Sequence, residues 1–187
     1  MSDDYAHELA VAEAIALEAA DLVRGYHGRD LVIESKAGDE PVTEADHAAN
    51  ALIVARLRAA FPDDVILSEE IPDDRSRLGR ARVWMVDPID GTRDFIMGHA
   101  GFVVMVGLAV DGRPRVGAVA HPLTRKVFVG VAGAGAWRAN PDGTRAPLRT
   151  SSIAGPPGIR LVASKSHRTG RIDAVKRALG IEDELNV

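Results

Sequence analysis

The sequence predicts an α/β fold, a layered α+β sandwich in which helices cover a mainly antiparallel sheet. Three observations support this. Two stretches with helical spacing of apolar residues come first, and a series of short apolar runs joined by turn residues follows. One more strand-like run and one more helix-like run come last. Helices followed by strands that can pair with their sequence neighbours form such layers.

Composition limits the function classes. The 187 residues are 46% hydrophobic and carry a formal net charge of −4, which argues against a general nucleic-acid surface. No apolar run is long enough to span a bilayer, so no membrane partner is expected. With no cysteine, thiol nucleophiles and zinc–thiolate sites are excluded. The acidic first ten residues lack a signal-peptide pattern, and we expect a cytoplasmic protein.

Two helices are predicted near the beginning of the chain. Apolar spacing over residues 9–23 predicts the first, which is expected to stop at Gly25. Residues 27–42 are predicted to form a polar loop. The second helix is predicted from Thr43 to just before Pro62.

A series of short strands is predicted next. Asp111-Gly112 is a hairpin turn signal between two of the runs, and turns of this kind predict an antiparallel meander. The strand-like runs are residues 65–68, 82–86, 102–110, 115–121 and 126–131.

The loop-like stretch 151–158 suggests a subdomain boundary. We therefore expect an N-terminal α+β subdomain over residues 1–150 that carries the functional site. Residues 151–187 would begin a second, α/β subdomain, with a strand at 159–164, a helix over 169–179 and no closing element.

Carboxylates follow two of the predicted strands. Glu69 and Glu70 come after the run at 65–68, and Asp87 and Asp90 come after the run at 82–86. If these strands are neighbours, the carboxylates converge, and their mutual repulsion calls for a cation. Oxygen ligands without His or Cys select a hard cation, usually Mg²⁺, which recruits phosphate. The Ile89 carbonyl lies between the two aspartates, and the amides of Gly91 and Thr92 could hold a phosphate group.

Each acidic pair also has a structural interpretation. Asp90-Gly91 after a strand is an ordinary turn signal, and residues 63–74 could be a solvated acidic loop. Similarly, Thr43 and Asp46 fit a helix capping box, whereas the functional alternative has Asp46 polarise a water through the Thr92 hydroxyl. The segment 164–168, SKSHR, is either a polar strand-to-helix loop or an anion contact.

Together these residues resemble the inositol monophosphatase superfamily of Mg²⁺-dependent, lithium-sensitive phosphatases. The ordered motifs are PVTEAD, LSEE, WMVDPIDGTRDF, GAVAHP and GAGAW. Within it, DPIDGTRDF and the segment SKSH resemble the branch of CysQ-type 3′(2′),5′-bisphosphate nucleotidases. The resemblance implies an αβαβα fold whose N-terminal sheet is mainly antiparallel.

The resemblance also implies individual roles. Two or three Mg²⁺ ions would be bound, and the substrate would be a small phosphorylated molecule. The implied metal ligands are Glu69, Asp87, the Ile89 carbonyl and Asp90. The implied catalytic residues are Asp46 and Thr92, with Glu70 as a helper, and the implied substrate contacts are Gly91, Thr92, Ser164 and His167.

The family pattern continues beyond the last residue of this sequence, Val187. Members of the family continue into a W-D-x-x-A motif that completes the second metal site, and neither Trp84 nor Trp137 is followed by Asp. We therefore expect either a C-terminally truncated chain or a natural short form, with the second half of the fold incomplete. Apolar surface left uncovered by that half favours self-association, for example as a homodimer.

The function expected from this resemblance is Mg²⁺-dependent removal of the 3′-phosphate from 3′-phosphoadenosine 5′-phosphate. One alternative is an inositol 1-monophosphatase or related sugar phosphatase. Another is a non-catalytic form that binds Mg²⁺ or phosphate.

Overall fold

The computed structural model describes residues 5–35, 40–156, 158–163 and 169–186, in which four α-helices and eleven strands follow one another. The chain divides into two compact units, Met1–Leu148 and Arg149–Val187. The elements are α1 (Ala6–Tyr26), β1 (Ile33–Ser35), β2 (Pro41–Thr43), α2 (Glu44–Ala60), β3 (Val65–Ser68), β4 (Arg82–Asp90), α3 (Thr92–Ile96), β5 (Val103–Val110), β6 (Arg113–His121), β7 (Lys126–Val131), β8 (Gly135–Ala139), β9 (Arg145–Leu148), β10 (Leu161–Ala163), α4 (Gly170–Leu179) and β11 (Glu184–Asn186).

The first unit is built on a seven-stranded sheet in the order β3-β4-β5-β6-β7-β8-β9. β3 and β4 run parallel, and every other neighbouring pair is antiparallel. The predicted α/β class with a mainly antiparallel sheet is therefore confirmed.

The core lies between one face of this sheet and helices α1 and α2. On β5 and β6, alternate side chains are buried towards the helices, as expected for a sheet with one covered face. The helices contribute many alanines, whose small side chains let helix and sheet approach closely. The buried residues of the two strands are Val104, Val106, Leu108, Val116, Ala118 and Ala120.

Trp84 anchors the edge of this core. Its ring is fully buried and stacks on Phe61 with centroids 5.0 Å apart. Its indole N–H donates to Asp64 Oδ2 at 2.9 Å, and Arg82 Nε donates to both oxygens of the same carboxylate. The buried polar atom is thereby satisfied, and β4 is tied to the loop that precedes β3.

Two local predictions were wrong. Helix α1 does not stop at Gly25 but continues to Tyr26, with His27 as its C-cap. An exposed glycine costs a helix only about 1 kcal/mol relative to alanine, which the buried face of α1 offsets. Residues 27–42 also contain more than a loop, because β1 and β2 pair as an antiparallel hairpin.

The second unit contains a parallel strand pair, β10 with β11, whose connection includes α4. The predicted helix is confirmed, with Thr169 as N-cap and Gly180 as a left-handed C-cap. β11 was not predicted, because a run of three residues carries too little apolar pattern to indicate a strand.

Candidate active site

Parallel pairing brings the two acidic segments together. Ser68 lies opposite Val86 at the end of the β3–β4 ladder, and the Glu69 amide donates to the Val86 carbonyl at 3.1 Å. Glu69, directly after β3, and Asp87, within β4, therefore lie side by side towards the same end of two parallel strands. This is the convergence that the sequence predicted for these strands. β4 continues beyond the predicted run at 82–86 and includes both aspartates, which were expected to follow it.

A β-bulge brings Asp87 and Asp90 to one face. Asp87 lies opposite Met105 and Asp90 opposite Val103, so β4 advances three residues while β5 advances two. In a regular strand, residues three apart point to opposite faces. The extra residue of the bulge reverses this alternation, and Pro88 within it has no N–H to offer the ladder.

The carboxylates of this segment perturb one another. Burial raises the pKa of Asp87, and repulsion by Glu69, a hydrogen bond with Glu69 and repulsion by Asp90 raise it further, to about 7. One oxygen of Asp87, Oδ1, is buried and has no hydrogen-bond partner in the described part of the chain. A buried oxygen left in this state costs free energy unless a cation or a proton compensates it.

The carboxylates do not form a ready-made metal cage. Among residues 5–35, 40–156, 158–163 and 169–186, no group of three or more His, Asp or Glu side chains is arranged to hold an ion. Glu69 and Asp90 are exposed and Asp87 is half-buried. The donor set around Asp87, which consists only of oxygens, nevertheless suits a hard cation such as Mg²⁺.

Asp46 and Thr92 meet beside this segment. Thr92 Oγ1 lies 3.3 Å from Asp46 Oδ1 and 3.0 Å from the Ile89 carbonyl, so its single hydrogen has two acceptors. Asp46 is 1% exposed, and its other oxygen, Oδ2, accepts from the Thr43 amide at 2.8 Å and the Thr43 hydroxyl at 2.6 Å.

The capping interpretation of Thr43 and Asp46 is confirmed. The Thr43 side chain also accepts from the Ala45 amide at 3.2 Å, which completes a capping box at the start of α2. Capping and contact with Thr92 are not exclusive, because each uses a different oxygen of Asp46. The box fixes Asp46 so that its second oxygen faces Thr92.

Gly91 shapes the turn between β4 and α3. Its backbone φ is 92°, in the left-handed region, and a Cβ at this position would lie 2.4 Å from the Gly101 carbonyl oxygen. Only glycine fits both conditions without displacement of the backbone. The turn thus depends on Gly91, while the phosphate-holding role of the Gly91 and Thr92 amides stays a prediction.

Three further residues were predicted for the site: Glu70, Ser164 and His167. Glu70 is half-buried, and its amide donates to the Ser68 hydroxyl at 3.3 Å. Ser164 and His167, predicted to contact the substrate, lie outside the described residues. Glu69 and Asp87 also line an open, largely apolar groove of about 540 Å³ on the sheet face opposite α1 and α2.

Asn50 and Ser68 were not predicted as site residues. The Ser68 hydroxyl donates to Asn50 Oδ1 at 2.6 Å and joins the end of β3 to α2. The available signal was the position of Asn50 four residues after Asp46, which places the two side chains on the same face of a helix.

None of the helices in the described part of the chain has the length and hydrophobicity needed to cross a membrane.

Comparisons with known proteins identify the family of the chain. The family model described as the inositol monophosphatase family matches residues 4–179. A histidinol-phosphatase of Chlorobaculum parvum is 38% identical over 79% of this chain and 54% of its own. The 3′(2′),5′-bisphosphate nucleotidase CysQ of Escherichia coli is 34% identical over 89% of this chain and 67% of its own.

A solved structure shows the same fold. The crystal structure of CysQ from Bacteroides thetaiotaomicron superposes with a TM-score of 0.77 and 25% identity, over 98% of this chain and 73% of that one. The chain spans about half the length of the Chlorobaculum relative and about two thirds of the Escherichia coli relative. On the family match and these relatives, the chain belongs to the inositol monophosphatase family.

Proposed function

We propose that this chain carries the catalytic site of a Mg²⁺-dependent phosphomonoester hydrolase. The observation that supports this most strongly is Asp87, which has a buried unpartnered oxygen and a pKa raised by burial and by Glu69 and Asp90. An unbalanced negative charge at a sheet edge is expected where a cation and a phosphate are meant to bind.

The metal ligands that we propose are Glu69, Asp87, the Ile89 carbonyl and Asp90, holding two or three ions. When bound, Mg²⁺ neutralises charge on the phosphate oxygens and on the leaving oxygen. Glu70, next to Glu69, would help to orient the first ligand.

Asp46 and Thr92 would activate the attacking water. The water gives a proton to the Thr92 hydroxyl while Thr92 passes its own proton to Asp46 Oδ1, 3.3 Å away. The water oxygen then forms a bond to phosphorus as the ester P–O bond breaks, and the leaving alkoxide takes a proton from solvent. Amides of Gly91 and Thr92 would hold the phosphate during this step.

The substrate that we propose is 3′-phosphoadenosine 5′-phosphate, which loses its 3′-phosphate. The similarity to relatives named CysQ and the predicted contacts of Ser164 and His167 support this choice. Histidinol phosphate is a second candidate, favoured by the relative named histidinol-phosphatase at 38% identity. Inositol 1-phosphate is a third, and a non-catalytic form that only binds Mg²⁺ or phosphate is the fourth alternative.

Phosphate release from the three esters, measured side by side with Mg²⁺, separates these candidates. We expect the highest kcat/KM for 3′-phosphoadenosine 5′-phosphate, and we expect His167→Ala to lower it for that ester alone. A higher kcat/KM for histidinol phosphate, unaffected by His167→Ala, would indicate that histidinol phosphate is the substrate. Mg²⁺ binding without any release would identify the non-catalytic form.

A further inference from the structure

Successive turns of helix α2 contact residues at or just after the ends of β3 and β4, where the acidic residues lie. On its first turn, Asp46 contacts Thr92, which follows β4. One turn later, Asn50 contacts Ser68 at the end of β3. Residues four apart lie on the same helix face, so a single surface of α2 fixes the position of both segments.

The Ser68 hydroxyl makes two hydrogen bonds. It donates to Asn50 Oδ1 at 2.6 Å and accepts from the Glu70 amide at 3.3 Å. Ser68 is 5% exposed, and Glu69 is the next residue. The hydroxyl therefore couples α2 to the backbone turn that carries Glu69 and Glu70.

Glu69 needs such a constraint. It is exposed, and its place beside Asp87 depends on the turn that follows β3. A turn free to move would let Glu69 leave Asp87, and an ion would then have to order the turn on binding. Groups held in the binding geometry beforehand avoid this cost.

We propose that Asn50 and Ser68 are positioning residues that hold Glu69 beside Asp87 and thereby set the affinity of the site for Mg²⁺. This inference rests on the proposed function, because it takes Glu69 and Asp87 to be metal ligands. It differs from a local turn role for Ser68, which would need the Glu70 amide but not Asn50.

The test is calorimetric titration of Mg²⁺ into the wild-type chain and its variants, together with the melting temperature of each without metal. Asn50→Ala carries most weight, because alanine is the better helix former and the variant should keep its fold. Ser68→Ala and the double variant complete the set. Asn140→Ala is the matched control, since it removes an Asn–hydroxyl bond, to Thr144, at the other edge of the sheet.

We expect the Kd for Mg²⁺ to rise about tenfold in Asn50→Ala and in Ser68→Ala. The double variant should be no weaker than either single variant, because both lose the same contact. The control should bind as the wild type does. The metal-free melting temperature of Asn50→Ala should stay close to that of the wild type.

An unchanged Kd in Asn50→Ala would overturn the proposal, as would losses that add to about a hundredfold in the double variant. If Ser68→Ala does not fold, Asn50→Ala alone decides. Absence of Mg²⁺ binding by the wild type would defeat the proposed function itself, and the positioning role with it.

Discussion

Asp46 and Thr92 are 46 residues apart in the chain, yet the Thr92 hydroxyl lies 3.3 Å from Asp46 Oδ1. The contact joins the start of α2 to the start of α3, just after the two aspartates of β4. A buried carboxylate this close to a half-buried hydroxyl can accept a proton from it, as the proposed relay requires. The same carboxylate caps its own helix through its other oxygen.

Thr92→Val should lower kcat at least about 100-fold, because the isosteric valine cannot pass a proton to Asp46. Steady-state phosphate release checks this, with Thr92→Ser expected to retain most activity. Thr144→Val is the matched control, since it removes a Thr–Asp hydrogen bond of 2.6 Å in an exposed turn. Activity of Thr92→Val within twofold of the wild type would rule out the relay.

Thr43→Val should lower the free energy of unfolding by about 2 kcal/mol, since it removes the cap of α2 and one donor to a buried carboxylate. Thr43→Ser keeps the hydroxyl and should lose less than about 1 kcal/mol. Urea denaturation monitored by tryptophan fluorescence measures both. A loss in Thr43→Ser as large as that in Thr43→Val would contradict this expectation, because serine keeps the hydroxyl that forms the cap.

Gly91→Ala should destabilise the fold by at least about 3 kcal/mol, because the new Cβ would meet the Gly101 carbonyl as well as an unfavourable φ. Gly112→Ala is the control, with φ of 70° and open space around its Cβ. It should cost only about 1 kcal/mol, the penalty of the left-handed backbone. Equal unfolding free energies for the two variants in urea would contradict the close approach to Gly101.

Asp87 should make the metal-free chain less stable as pH rises. Its pKa is raised from 3.8 to about 7, so between these values the folded chain keeps a proton that the unfolded chain has lost. Stability is then highest at low pH in this range and falls as pH approaches and passes 7.

Asp87→Asn cannot ionise, and it should remove that part of the pH dependence and be the more stable protein at pH 8. Urea denaturation in the presence of chelator at pH 5 and pH 8 compares the variant with the wild type. The difference between the two proteins isolates Asp87 from other titrating groups. An identical decline in both would show that the carboxyl does not carry the raised pKa.

The acidic site could be anticipated because its parts have strong local signals. Glu69 and Asp87 each follow a short apolar run, and both runs are strands, β3 and β4. The parallel pairing of those strands could only be stated as a condition, since nothing local links residues 65–68 to 82–86. The bulge that brings Asp90 to the same face as Asp87 depends on the pairing of β4 with β5. The local sequence of β4 therefore does not indicate it.

Side-chain contacts between different helices and strands could not be predicted from the sequence. The Asn50–Ser68 bond joins residues 18 apart on two elements, and neither residue type is distinctive alone. The strands β1 and β2 were missed for a related reason. All three residues of β1 are exposed, so the strand has none of the apolar alternation by which strands are predicted.

The most direct test of a metal-dependent site is phosphate release from 3′-phosphoadenosine 5′-phosphate by the wild-type chain and by Asp87→Asn, each with Mg²⁺ and with chelator. We expect release by the wild type that requires Mg²⁺ and is lost in Asp87→Asn. Release that persists in chelator, or that Asp87→Asn retains in full, would contradict a metal-dependent site centred on Asp87.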